Sequence, residues 1–147
     1  MPMEDHVFSE LATLFFSTKQ IMRKQMPNNG HIDPNAWLRF ETMRFIGESK
    51  EPSMQELAEY LRIQAPSATS LVSHLVEAGF VERKSEAGDK RIVRVVLTPI
   101  GKKEVADYMA RSVVTMRKTF SQLGEREVET LLDILRHLRD AHAKESK

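Results

Sequence analysis

The chain has 147 residues, 41% hydrophobic and 29% charged, with 22 Lys and Arg against 21 Asp and Glu for a formal net charge of +1. That length and balance suit one cooperative domain and argue against disorder. The lack of cysteine excludes disulfides, thiol catalysis, thiol redox sensing and cysteine-ligated metal. From His6 to Met26, Val7, Phe8, Leu11, Leu14, Phe15, Ile21 and Met22 recur at helical spacing, and Pro27-Asn28-Asn29-Gly30 ends the run. A second helix starts at Asp33-Pro34, an acceptor followed by proline, and carries Trp37, Leu38, Phe40, Met43 and Ile46 as far as Gly47. Ser53-Met54-Gln55-Glu56 reads as a capping box opening a short helix that ends near Leu61. After the tight Arg62-Ile63-Gln64-Ala65 connection, Pro66 opens a fourth helix that runs to Ala78, with Gly79 as its left-handed stop. Phe80–Lys84 and Ile92–Leu97 read as strands of one hairpin around a Glu86-Ala87-Gly88-Asp89 turn. Thr98-Pro99 launches a long helix with Val105, Met109, Val113 and Met116, and a last one follows Gly124 with Leu131, Leu132, Leu135 and Leu138 before a polar tail from Ala141.

No apolar run approaches the roughly 18 residues that span a bilayer. The N-terminus, Met1-Pro2-Met3-Glu4-Asp5-His6, lacks a signal-peptide layout, so a cytoplasmic protein with no membrane partner is expected. An enzyme reading finds no phosphate loop, dinucleotide fingerprint or nucleophile elbow, and no cofactor is expected. His6, His31, His74, His137 and His142 are scattered, and His137 and His142 stand about 140° apart on a helix, so no metal site is expected.

Two short helices joined by a tight turn and followed by a hairpin make a winged helix-turn-helix, whose second helix is sized for the major groove of double-stranded DNA. The fold class is therefore mainly α, with a small β-hairpin wing. A helical domain with an incidental hairpin is the plainer alternative. Between Glu82 and Lys103 stand seven Lys and Arg against three acids, a local excess that suits an anionic partner. Lys90 and Arg91 at the hairpin tip stabilise nothing by packing but gain counterion release and direct contacts on a duplex. Asp89, two residues before Arg91, is placed to orient its guanidinium. The candidate contacts are Pro66, Ser67, Ser70, Ser73 and His74 on the fourth helix, with Lys84, Asp89, Lys90 and Arg91 on the hairpin. The long outer helices carry apolar stripes that either bury one another within a monomer or pack across a two-fold axis.

Asp89-Lys90-Arg91, then Leu97-Thr98 and Gly101, resembles the D-x-R-x5-L-T-x2-G signature of the multiple antibiotic resistance regulator (MarR) family of transcription factors. Leu57-Ala58, Leu71-Val72, Leu75, Gly79, Phe80-Val81 and Arg83 fit the surrounding pattern, so the resemblance covers about residues 53 to 101. It implies that Arg91 enters the minor groove, that Asp89 braces it, and that Ser67, Ser70 and His74 face base edges. Many relatives carry a longer side chain where Ser70 stands, which moves the expected burden of specificity toward groove shape and the wing. The resemblance also implies an obligate homodimer. In that arrangement residues 5–26 and 98–145 of a single 1–147 domain form the dimerisation helices, and about 34–97 form the DNA-binding lobe. It further implies a ligand-responsive repressor on a pseudo-palindromic operator. The effector would be small and aromatic or lipophilic, and Phe15, Phe16, Trp37, Phe40 and Tyr108 are the candidates to line its pocket.

Overall fold

The computed structural model describes residues 3–26, 33 and 35–145, so the expected stop at Pro27–Gly30 and the proline start at Pro34 lie outside the described residues. The elements run α1 (Asp5–Gln25), α2 (Ala36–Glu48), α3 (Met54–Leu61), α4 (Ala65–Glu77), β1 (Val81–Glu86), β2 (Asp89–Leu97), α5 (Pro99–Thr119) and α6 (Glu125–Glu145). They fall into two compact units, Asn28–Arg111 and Met1–Pro27 with Ser112–Lys147. Helix α5 thus contributes to both.

In the central unit the core is one cluster of Met43, Ile46, Leu57, Val72, Leu75, Val81 and Val95, drawn from α2, α3, α4 and the hairpin. Each such side chain, taken wholly out of water, contributes about 1.5–3 kcal/mol. The amphipathic spacing of α3 and α4 aims these residues inward, and local chemistry sets where each helix begins and ends. Ser53 Oγ accepts the Glu56 amide at 3.1 Å while the Glu56 carboxylate accepts the Ser53 amide at 2.8 Å, so the expected capping box is formed. Arg62 closes α3 in the left-handed conformation, φ 53°. Helix α4 ends in a Schellman turn: Gly79, φ 79°, donates to Val76 O at 2.9 Å and Phe80 to Leu75 O at 3.0 Å.

A knot of polar groups joins α2 to α3. Arg44 and the Tyr60 hydroxyl both donate to the Glu41 carboxylate, Arg44 also pairs with Glu48, and the Tyr60 ring stacks on Phe45 with centroids 4.0 Å apart. The Arg44 hydrogen bond, helped by Tyr60 and opposed by burial, holds the Glu41 carboxyl below its ordinary value.

The start of α5 is pinned to the end of α4. Thr98 Oγ1 accepts the Gly101 amide at 3.0 Å and donates to Gly79 O at 2.6 Å. A Cβ on Gly101 would stand 2.0 Å from the Phe80 carbonyl oxygen, so only glycine permits this approach. The Leu-Thr-x-x-Gly stretch is thereby explained physically: it docks α5 on the turn that follows α4.

The terminal unit is built differently. Neither α1 nor α6 has a buried residue. Phe8, Leu11, Leu14 and Phe15 on α1 and Leu135 and Leu138 on α6 are exposed, on stripes of helical spacing. At the start of α6 the Gly124 amide donates to the Glu127 carboxylate at 2.8 Å. The helix continues to Glu145, past the expected polar tail from Ala141, because Ala, His, Lys and Glu sustain a helix without an apolar stripe. Among the described residues no helix is long and apolar enough to cross a membrane.

Candidate nucleic-acid interface

Helix α4 buries Ala68, Val72 and Leu75 and turns Pro66, Ser67, Ser70 and His74 outward. Ser67, Ser70 and His74 line one shallow cleft, facing Asn35, Leu38 and Arg39 of the α2 start. Ser73 behaves otherwise. It is half-buried, and its hydroxyl accepts from Arg83 of β1 at 2.7 Å, while the same guanidinium reaches Thr69 O at 3.4 Å. Arg83 thus ties the hairpin to the flank of α4, a role that its place in the sequence did not disclose.

The hairpin differs from the expected one in register. Strand β1 extends to Glu86 and β2 begins at Asp89, so the turn shrinks to Ala87-Gly88, with Gly88 at φ 94°. Ser85 pairs with Val93, yet Glu86 pairs with Asp89, which leaves Lys90, Arg91 and Ile92 without cross-strand partners. The basic pair therefore lies not in the turn but on a bulge just past it, where extra residues must swing away from the ladder. Arg91 is 91% exposed and its guanidinium meets Asp89 twice, Nε to Oδ1 at 3.0 Å and Nη2 to Oδ2 at 3.1 Å. The Arg91 amide also donates to Asp89 Oδ1 at 3.0 Å. These bonds hold the Asp89 carboxyl below its ordinary range and tether the guanidinium to the carboxylate beside it. Lys90 is exposed and has no ion-pair partner among the described residues.

The local excess of positive charge is smaller than its residue count. Arg94 pairs with Glu86 at 2.9 Å and Glu56 at 3.6 Å and donates to Glu51 O at 3.3 Å, which clamps β2 to the segment before α3. The Ser53–Arg94 bridge and the bond from Val95 N to Pro52 O at 3.0 Å reinforce that clamp. Lys84 reaches Glu51 at 3.4 Å and Lys103 pairs with Asp107. Five of the seven cations, counting Arg83 and Arg91, thus have partners within the fold. For Lys84 and Arg94 the partner Glu51 lies 33 and 43 residues away, beyond any local sequence signal.

Of the five aromatic residues expected to line a pocket, Phe40 and Tyr108 stack on each other with centroids 4.2 Å apart, and Phe40 is buried. Tyr108 is half-buried. Trp37 on α2, and Phe15 and Phe16 on α1, are exposed instead, and none of the five lines the cleft beside α4.

The family model of the MarR family matches residues 36–92, the span from the start of α2 to the wing bulge. The chain is also 31% identical over 101 residues to the HTH-type transcriptional regulator BilQ of Clostridium symbiosum (strain WAL-14163), covering 67% of this chain and 70% of that protein. The chain belongs to the MarR family. Its fold is similar to that of the transcriptional regulator Tm0710 from Thermotoga maritima, with TM-score 0.63 and 25% identity over 98% of this chain and 99% of that one. It is likewise similar to Streptococcus pneumoniae FabT in complex with DNA, with TM-score 0.69 and 17% identity over 96% and 99% of the two chains. As a MarR-family member the chain is a DNA-binding transcriptional regulator with a winged-helix fold, and not an enzyme.

Proposed function

We propose that this regulator acts in the cytoplasm as a homodimer that represses transcription by covering a pseudo-palindromic operator. The observation that carries the dimer is the pair of long helices, α1 and α6, with apolar stripes and no buried residue. Stripes that stay wet in one copy are satisfied by a second copy across a two-fold axis. A two-fold dimer sets its recognition helices about 34–36 Å apart, one turn of the duplex.

In this reading α4 enters the major groove and presents Pro66, Ser67, Ser70 and His74, with Ser73 steadied by Arg83. The wing brings Lys84, Lys90 and Arg91 to the backbone and minor groove, with Asp89 as the brace. Preordering Arg91 lowers the entropy lost when it meets the duplex. Release by a small aromatic or lipophilic effector follows the family resemblance and is supported here by the exposed rings of Phe15, Phe16 and Trp37. Such an effector acts by favouring a lobe spacing that no longer fits successive grooves.

Selection of bound sequences from a random DNA pool tests the reading. It should return an inverted repeat with half-sites one helical turn apart, and transcription from a promoter carrying that repeat should fall when the protein is added. Recovery of single or directly repeated half-sites overturns the dimer geometry, and increased transcription overturns the repressor assignment.

A further inference from the structure

The cleft between the start of α2 and the outer face of α4 is lined by the polar groups of Asn35, Arg39, Ser67, Ser70 and His74, with no acidic residue among its lining. Its single full cation, Arg39, is held from behind: Asp33 pairs with the guanidinium through Oδ2 while its Oδ1 accepts the Asn35 amide at 2.8 Å. Arg91 on the wing is held in the same manner, by an aspartate that also caps the backbone amide two residues on. Two arginines, 52 positions apart in the chain, are thus each preset by an Asp side chain in a turn.

The helical wheel shows where the cleft lies relative to a duplex. At about 100° per residue, Ser67, Leu71 and His74 form one flank of α4, and Thr69 and Ser73, the residues that Arg83 grips, form the other. Between them, opposite buried Ala68, Val72 and Leu75, lie Pro66, Ser70 and Glu77. A helix about 10–12 Å across fills a major groove about 12 Å wide, so the phosphate walls of the groove press against both flanks. The cleft occupies the flank away from Arg83. Hydroxyls, an amide and a guanidinium along this open cleft are the donor types that bind a phosphate.

Resting on the reading of α4 as the groove helix, we propose that Arg39, positioned by Asp33, seats a backbone phosphate of the duplex in this cleft, with Asn35 and Ser67 as its polar neighbours. The seat fixes how α4 lies in the groove without reading sequence. Arg39 reaches the phosphate from α2, outside the helix-turn-helix and the wing.

The test is titration of the full chain, by fluorescence anisotropy, on a random-sequence duplex and on a duplex recovered by selection, between about 50 and 200 mM salt. Arg39→Gln should weaken binding to both duplexes equally, about three- to tenfold, and lower the salt slope by about 0.9 per protomer. Arg39→Lys should keep the slope. Asn35→Asp, which keeps the size and shape of the side chain but adds a carboxylate to the cleft, should weaken binding as well and guards against a folding defect in the arginine variants. If Arg91→Ala weakens binding while Arg39→Gln and Asn35→Asp retain the unaltered affinity and slope, the seat is wrong and the DNA reading stands. If the unaltered chain binds neither duplex, the DNA reading falls and takes the seat with it.

Discussion

Leu75 on α4 and Leu135 on α6 are the same residue on helical stripes of the same kind, yet Leu75 is fully buried and Leu135 is 47% exposed. The difference separates the two units. In the central unit four helices and a hairpin present apolar faces that meet each other, whereas in the terminal unit α1 and α6 bury no side chain. Periodicity records only that a face is meant to leave water. It carries no information on whether the covering surface belongs to the same copy of the chain.

The largest effect that sharpens this contrast is expected on α6. Leu135→Glu sets a charge in the apolar stripe and should turn a sedimenting dimer into monomers, and the melting temperature of the unaltered protein should rise with concentration. A monomer in the unaltered protein, at any concentration up to the solubility limit, would break the comparison. Next comes Leu75→Ala in the central core, which should lower stability by about 2–5 kcal/mol in urea unfolding. Its cost reflects packing inside one copy, so the dimer should persist under native conditions.

A smaller loss, about 1–3 kcal/mol, is expected for Gly101→Ala, since the new methyl group meets the Phe80 carbonyl and α5 must move to admit it. If the variant is as stable as the unaltered chain, α5 does not dock as described. The smallest effect is the acid limb. Glu41 has its carboxyl held below its ordinary value of 4.5, chiefly by Arg44. A depressed carboxyl contributes stability above its unfolded value and loses it as pH falls through the folded one. Stability should therefore decline below about pH 4.5, and Glu41→Gln should flatten that part of the profile.

Much of the central unit was legible because its signals are local. The capping box at Ser53, the Gly79 stop, the Thr98-Pro99 start and the Asp89 brace each act within four residues, and each is formed. At the start of α2 Asp33 is the acceptor that was expected, taking the Asn35 amide, and it also pairs with Arg39, which the sequence did not disclose. The wing turn was read too long because a bulge shifts register in a way that alternation alone does not encode. Arg83, Arg94 and Lys84 counted equally toward a basic patch until their partners came into view. Nor did the sequence disclose that Phe40 and Tyr108, 68 positions apart, stack on each other.

The order of elements, their caps and the exposed basic pair followed from the sequence alone, because hydrogen bonds and side-chain directions over one helical turn or one hairpin depend on neighbours along the chain. Which cations remain outward, which aromatic rings become core, and that Arg39 stands beside Ser67 and His74 were decided by the tertiary structure. Those outcomes depend on distances between residues tens of positions apart, which only the folded chain defines.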